Sequence, residues 1–152
     1  MLQNRGFSFS LDPTSVNPLQ PGRRPVHTLN PPLVAFDDGR IASYGSMGGD
    51  GQPQFQAQVF TRMLMGEGVA AALDRPRFLF GKAWGTDTSA LSVEPRFDDA
   101  LLAALRRAGH EVSVTEVPYS DLLGHAGALV RRLDGRIEAG HDPRSDGGAA
   151  GI

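Results

Sequence analysis

Arg40-Ile41-Ala42-Ser43-Tyr44 runs without interruption into Gly45-Ser46-Met47-Gly48-Gly49-Asp50-Gly51-Gln52-Pro53, and this hand-over decides the fold. The first five residues have strand character. After Pro53 the apolar residues Phe55, Val59, Met63 and Leu64 return at helical spacing. The segment therefore reads as strand, glycine loop, helix. Gly48 and Gly49 remove side chains from the turn and leave backbone N–H groups facing outward at a helix N-terminus, a place that binds negative charge. From spacing alone the plainer reading is a tight strand-to-helix turn with Asp50 as N-cap. The G-K-[ST] ending of a P-loop and the glycine spacing of a dinucleotide fingerprint are both missing, which ranks an oxyanion ahead of a phosphate.

Working outward, Leu33-Val34-Ala35-Phe36 faces Arg40 to Tyr44 across Asp37-Asp38-Gly39, the pattern of a β-hairpin. Before it, Pro13, Pro18, Pro21, Pro25, Pro31 and Pro32 deny the chain the donors that a helix or central strand requires. Residues 1–32 are thus expected to form an extended proline-rich segment, and 33–152 an α+β portion. Beyond the first helix, Gly66 and Gly68 punctuate, Val69 to Leu73 form a short helix stopped by Pro76, and Phe78 to Phe80 and Leu91 to Val93 are short strands around a polar loop with Trp84. Asp98 caps a helix with an apolar stripe of Ala100, Leu101, Ala104, Leu105 and Ala108. Glu111 to Val117 reads as a strand, and Ala126 to Val130 pairs with Arg136 to Ala139 across Asp134-Gly135. Hairpins at both ends with helices between them indicate an antiparallel α+β layering rather than a doubly wound parallel sheet.

Composition removes several functions. A chain of 152 residues is one domain or part of one. A formal charge of -2 argues against a nucleic-acid surface. Without cysteine there is no disulfide, no thiolate zinc site and no cysteine nucleophile. No apolar run is long enough to span a bilayer, and Met1 to Ser10 lacks the features of a secretory signal. His27, His110, His125 and His141 are scattered without metal-ligand spacing, and Ser46 does not sit in G-x-S-x-G. His27 and Thr28, beside Arg23 and Arg24, form a polar cluster that either lines a site or is a solvated loop. In the tail His141-Asp142-Pro143-Arg144-Ser145-Asp146-Gly147, a buried Arg–carboxylate pair that fixes the terminus is the favoured role.

Six ordered blocks then carry a family likeness: Leu2-Gln3-Asn4-Arg5-Gly6 with Phe9 to Pro13, Pro21 to Pro31, Gly45 to Gln54, Ala71 to Phe78, Gly124 to Ala128, and Asp142 to Gly147. The sequence resembles the γ-glutamyltransferase (glutathione hydrolase) family of N-terminal nucleophile hydrolases. The resemblance implies an autoprocessed proenzyme whose small subunit begins at a threonine, nucleophile and, through its own α-amine, base. This chain is similar to the later part of that small subunit: the threonine block is expected several tens of residues before Met1. The fold implied is an incomplete αββα sandwich, with sheet edge or apolar surface left to be covered by the upstream part of the proenzyme, that is, the large subunit and the Thr-bearing start of the small one.

Carried over by the same resemblance, Gly48 and Gly49 match the glycine pair whose N–H groups form the oxyanion hole. His27 and Thr28 match a serine pair that touches substrate. Where typical members have Asn-Asn followed by acidic residues, this chain has Gln3-Asn4-Arg5-Gly6-Phe7-Ser8. Arg5 and Ser8 are thus expected at the substrate, and a guanidinium there suits a carboxylate-bearing amide, not the α-ammonium of a γ-glutamyl group. A retained γ-glutamyl substrate and a catalytically inactive fragment or structural partner subunit are the alternatives. No cofactor or metal is implied, and the substrate is a small-molecule amide. The compartment is hidden: cytoplasm is favoured, with periplasm or secretion if an upstream part carries a signal.

Overall fold

The computed structural model describes residues 5–82 and 88–151. The Leu2-Gln3-Asn4 end of the first family block and the Trp84 loop lie outside the described residues. The hairpin expected around Asp37-Asp38-Gly39 forms: β1 (Leu33–Ala35) pairs antiparallel with β2 (Ile41–Met47), Val34 opposite Ala42. Strand β2 runs on to Met47, because β6 (His125–Arg131) pairs along its full length, from Ile41 opposite Arg131 to Met47 opposite His125. Strand β7 (Ile137–His141) completes a four-stranded antiparallel sheet in the order β1-β2-β6-β7.

Two helices cover one face of this sheet. In β6 every second residue (Ala126, Ala128, Val130) points inward, as the two-residue period of a strand demands. They meet Ala42 and, from α1 (Gln52–Leu64) and α2 (Val69–Asp74), Val59, Val69, Ala72 and Leu73, all buried. Small residues on the sheet let α2 approach closely; a methyl at Gly140 would fall 2.8 Å from Leu73 Cδ1. Helix α2 ends where Arg75 turns extended before Pro76. The Tyr44 and Phe60 rings stack at 4.8 Å.

A second sheet has the order β3-β4-β5, with β3 (Phe78–Phe80) antiparallel to β4 (Leu91–Val93). Strand β4 runs parallel to β5 (Val112–Val114), an exception to the all-antiparallel expectation, because α3 (Asp99–Arg107) crosses between them. Strand β5 stops short of Val117 because the Thr115 hydroxyl bonds the Val117 carbonyl at 3.0 Å and turns the chain. Asp98 caps α3 as expected, its carboxylate accepting from the Ala100 N–H at 2.9 Å. The apolar stripe is different: Leu102 is the buried residue with Leu105 packed beside it, whereas Ala100, Ala104 and Ala108 are exposed. Helix α3 covers only β4 and β5. An open apolar groove of about 390 Å³ remains between it and β3, walled by Phe78, Phe80 and Leu101. Among the described residues no helix is long and apolar enough to cross a membrane.

Four alternating glutamines on α1 tie the molecule together. Gln54 and Gln58, one turn apart, use their carboxamides as a surrogate strand against the outer edge of β3. Gln54 donates to the Phe80 carbonyl at 2.9 Å and accepts from its N–H at 2.9 Å. Gln58 does the same with Phe78, at 2.8 and 3.1 Å. An edge that would otherwise invite another strand is thereby closed. Gln52 and Gln56, on a different face, reach the proline-rich segment instead.

Candidate active site

The site is built where β2 ends. Gly48 has φ 146° and Gly49 φ 55°, conformations that L side chains rarely adopt, and a 3-10 turn Gly49–Gly51 then feeds α1. Sterics repeat the demand. The fully buried Phe55 lies under the loop, so that an added methyl would come within 2.5 Å of its ring at Gly48, 2.8 Å at Gly51 and 2.4 Å at Gly124. Phe55 joins Leu79 and Leu123 in a small core between the two sheets.

Asp50 is not the N-cap that spacing suggested. It lies exposed within the 3-10 turn, and α1 is capped by Gly51 with no side-chain bond, Pro53 serving its first turn. Among the described residues no side chain caps the start of α1. Among the described residues the N–H groups of Gly48 and Gly49 donate to no acceptor, while the Gly48 carbonyl accepts from the Gly51 N–H at 3.0 Å. Gly48 and Gly49 line neither the groove beside α3 nor the small cleft beside Phe36 and Glu138.

The residues expected beside the loop divide. Thr28 is half-buried at the first turn of α1. With the Gln52 carboxamide oriented so that both its ends have partners, its nitrogen lies 3.0 Å from the Thr28 carbonyl, 2.9 Å from the Ser46 carbonyl and 3.1 Å from Asn30 Oδ1. Gln56 also donates to Asn30 Oδ1, at 2.6 Å. His27 is exposed, its Nδ1 accepting from the Leu29 N–H at 3.0 Å. Arg5 and Ser8 bound a separate 3-10 turn, both half-buried, and the Ser8 carbonyl accepts from Asn17 at 2.8 Å. Asn30, Gln52 and Gln56 were not singled out from sequence; the Gln-x-x-x-Gln spacing of the last two was the available signal.

Behind the loop lies a buried charge knot. Arg77 and Asp142 pair at 2.6 Å with both side chains fully buried, and Arg144 binds Glu94 at 2.7 Å and Asp142 at 3.0 Å. The tail pair expected from sequence is therefore present with four members. Arg77 also donates to the Gly124 carbonyl at 3.0 Å, and Gly124 abuts Gly48. Desolvation pushes the Arg77 guanidinium down to about 10, against the pull of Asp142. For Asp142 burial opposes ionisation, but Arg77, the N–H groups of Ala126 and Arg144, and the Arg144 charge outweigh it and hold the carboxyl below its ordinary value. His125, opposite Met47 in the ladder, keeps Nε2 buried without a partner among the described residues. Among the described residues no three His, Cys, Asp or Glu side chains gather as a metal site would require.

The model of the gamma-glutamyltranspeptidase family matches residues 1–152. This chain belongs to that family. It is 51% identical over 150 residues to the oxamate amidohydrolase proenzyme of Klebsiella pneumoniae, covering 98% of this chain and 28% of that protein. It is 42% identical over 153 residues to the glutathione hydrolase-like YwrD proenzyme of Bacillus subtilis, covering 29% of it. The chain thus spans less than a third of the length of these relatives. The crystal structure of a cephalosporin acylase from Bacillus halodurans superposes with a TM-score of 0.80 at 32% identity, over 99% of this chain and 27% of that one. Helicobacter pylori gamma-glutamyltranspeptidase shares the fold with a TM-score of 0.77 at 20% identity, over 95% of this chain and 81% of that one. The α+β architecture of the N-terminal nucleophile type, expected from the sequence, is the fold of these neighbours.

Proposed function

We propose that this chain is the C-terminal segment of a gamma-glutamyltranspeptidase-family amidohydrolase, supplying the oxyanion hole and part of the substrate wall to a threonine carried upstream or on another chain. The observation that carries the reading is the Gly48–Gly49 pair, held at a helix start in conformations that L side chains rarely adopt, with two N–H groups that find no acceptor among the described residues. Attack of a threonine oxygen on an amide carbon moves the carbonyl electron pair onto oxygen, and the threonine proton passes to the α-amine. Two aligned N–H donors stabilise that oxygen as its charge develops. Collapse breaks the C–N bond, the amine leaves with the proton, and water or an amine acceptor then cleaves the acyl ester.

The substrate we infer is an amide whose acyl group bears a carboxylate. Arg5 supports this by its charge, and so does the relative named oxamate amidohydrolase, since oxamate carries one amide and one carboxylate. Thr28 lies at the first turn of the same helix as the glycine loop, which suits a wall residue. Purified alone, the 152-residue chain is expected to hydrolyse no oxamate; combined with the upstream part of its proenzyme it is expected to release ammonia. Turnover by the isolated chain would overturn the division of labour.

A further inference from the structure

Resting on that reading, a residue that carries no chemistry itself sets the distance between the two parts of the site. Gln52 is the first residue of α1 and 4% exposed. Its amide nitrogen faces three oxygens from two segments: the Ser46 carbonyl, two residues before Gly48 on β2, and the Thr28 carbonyl and Asn30 Oδ1 on the proline-rich strap. Three acceptors around one nitrogen call for an NH₂ group, which offers two donors in a plane; a carboxylate in the same volume would meet them oxygen to oxygen. The strap around Thr28 has no helix or strand of its own between Arg23 and Pro32. Gln52, helped by the Gln56 bond to Asn30, is what pins it to the helix.

We infer that Gln52 is a positioning residue, fixing the Thr28–Asn30 strap at a set spacing from the Gly48–Gly49 loop and so defining the room for the acyl group between wall and oxyanion hole. Ser46 and Gln52 bracket the glycine loop in sequence, so a bond between them also closes the loop on itself. Loosening Gln52 therefore moves the wall first and, through Ser46, the entry to the hole.

Gln52→Glu conserves shape and exchanges a donor for an acceptor, while Asn30→Ala, at an exposed position, removes a shared acceptor with little demand on folding. Hydrogen exchange on the protein completed with its upstream part is expected to show at least tenfold faster exchange at the Leu29 amide, held by His27 Nδ1, in both variants, with β6 unchanged. In the protein completed with its upstream part, both variants are expected to raise KM for a short carboxylate amide about tenfold with kcat changed less than threefold, and Gln52→Asn, which keeps the donor on a shorter arm, to recover part of the loss. Unchanged exchange in both variants, or equal losses in KM and kcat, overturns the inference. An inactive wild-type complete protein would instead sink the proposed function, and the exchange result would still decide the role of Gln52.

Discussion

The ring of Phe55 lies so close beneath Gly48 that a Cβ built there would fall 2.5 Å from Phe55 Cε2. A buried aromatic side chain from the first turn of α1 thus dictates that positions 48 and 51, just before that helix, carry no side chain. Gly48→Ala is expected to lose about 2 to 5 kcal/mol, from an unfavourable φ of about 1 to 2 kcal/mol and an overpacked core of about 1 to 3 kcal/mol. Adding Phe55→Leu should return part of it, and urea denaturation of the two single variants and the double gives the coupling. Strict additivity would separate the ring from the loop.

Gly49 is constrained by backbone alone. Its φ is 55° and nothing lies within 4 Å of the position of a Cβ. Gly49→Ala is therefore expected to cost only about 1 to 2 kcal/mol. A thermal melt that ranks Gly49→Ala as worse than Gly48→Ala would show the loop to be packed differently.

The Arg77–Asp142 pair predicts an asymmetric response. Asp142→Asn leaves a guanidinium buried without its counter-charge and is expected to destabilise by about 3 to 5 kcal/mol. Replacing Arg77 and Asp142 together with apolar residues should be milder than the Asp142→Asn change alone. Equal or greater loss in the double variant would mean that the bonds of Arg77 to the Leu73 and Gly124 carbonyls and of Asp142 to the Ala126 N–H and Arg144, and not the Arg77–Asp142 charge pairing, carry the effect.

The same carboxylate sets an acid limit. Asp142 in the folded chain titrates below its ordinary value of 3.8, so its contribution is fully present above that value and is lost as pH falls through the lower, folded value. Stability measured from pH 6 downward should be insensitive to Asp142 until below about pH 4, where wild type weakens and the Asp142→Asn variant does not follow it. Parallel curves for the two proteins would contradict the assignment.

Much of the layout was legible because local rules agreed with one another. Gly39 and Gly135 turn the two hairpins, Asp98 caps α3, and Pro76 follows α2, each readable within a few residues. The tail pair was readable as a type of interaction, but its partners Arg77 and Glu94 were not, since they lie some fifty or more residues away in sequence and only the fold brings them to Arg144 and Asp142. The stripe on α3 failed for a related reason. Leu101 and Leu102 both begin apolar rows at helical spacing, and the position of β4 beneath the helix selects Leu102. The four glutamines gave no hydrophobic period, and their roles depend on which backbone edge each one faces.

Gln58→Leu removes two bonds to Phe78 and exposes the edge of β3. A loss of about 1 to 3 kcal/mol is expected, with faster hydrogen exchange confined to Phe78 and its neighbours. Protection unchanged at Phe78 would show that the edge is held by other means.

The Gly48 and Gly49 N–H groups are tested most directly by removing one of them without altering a side chain. Semisynthesis that replaces the Gly49 amide N–H by an ester oxygen, in the chain completed with its upstream part, is expected to lower kcat on a carboxylate-bearing amide by about 10²- to 10³-fold while KM stays within a few-fold. A kcat equal to that of the all-amide protein would contradict the assignment of Gly48 and Gly49 as the oxyanion hole.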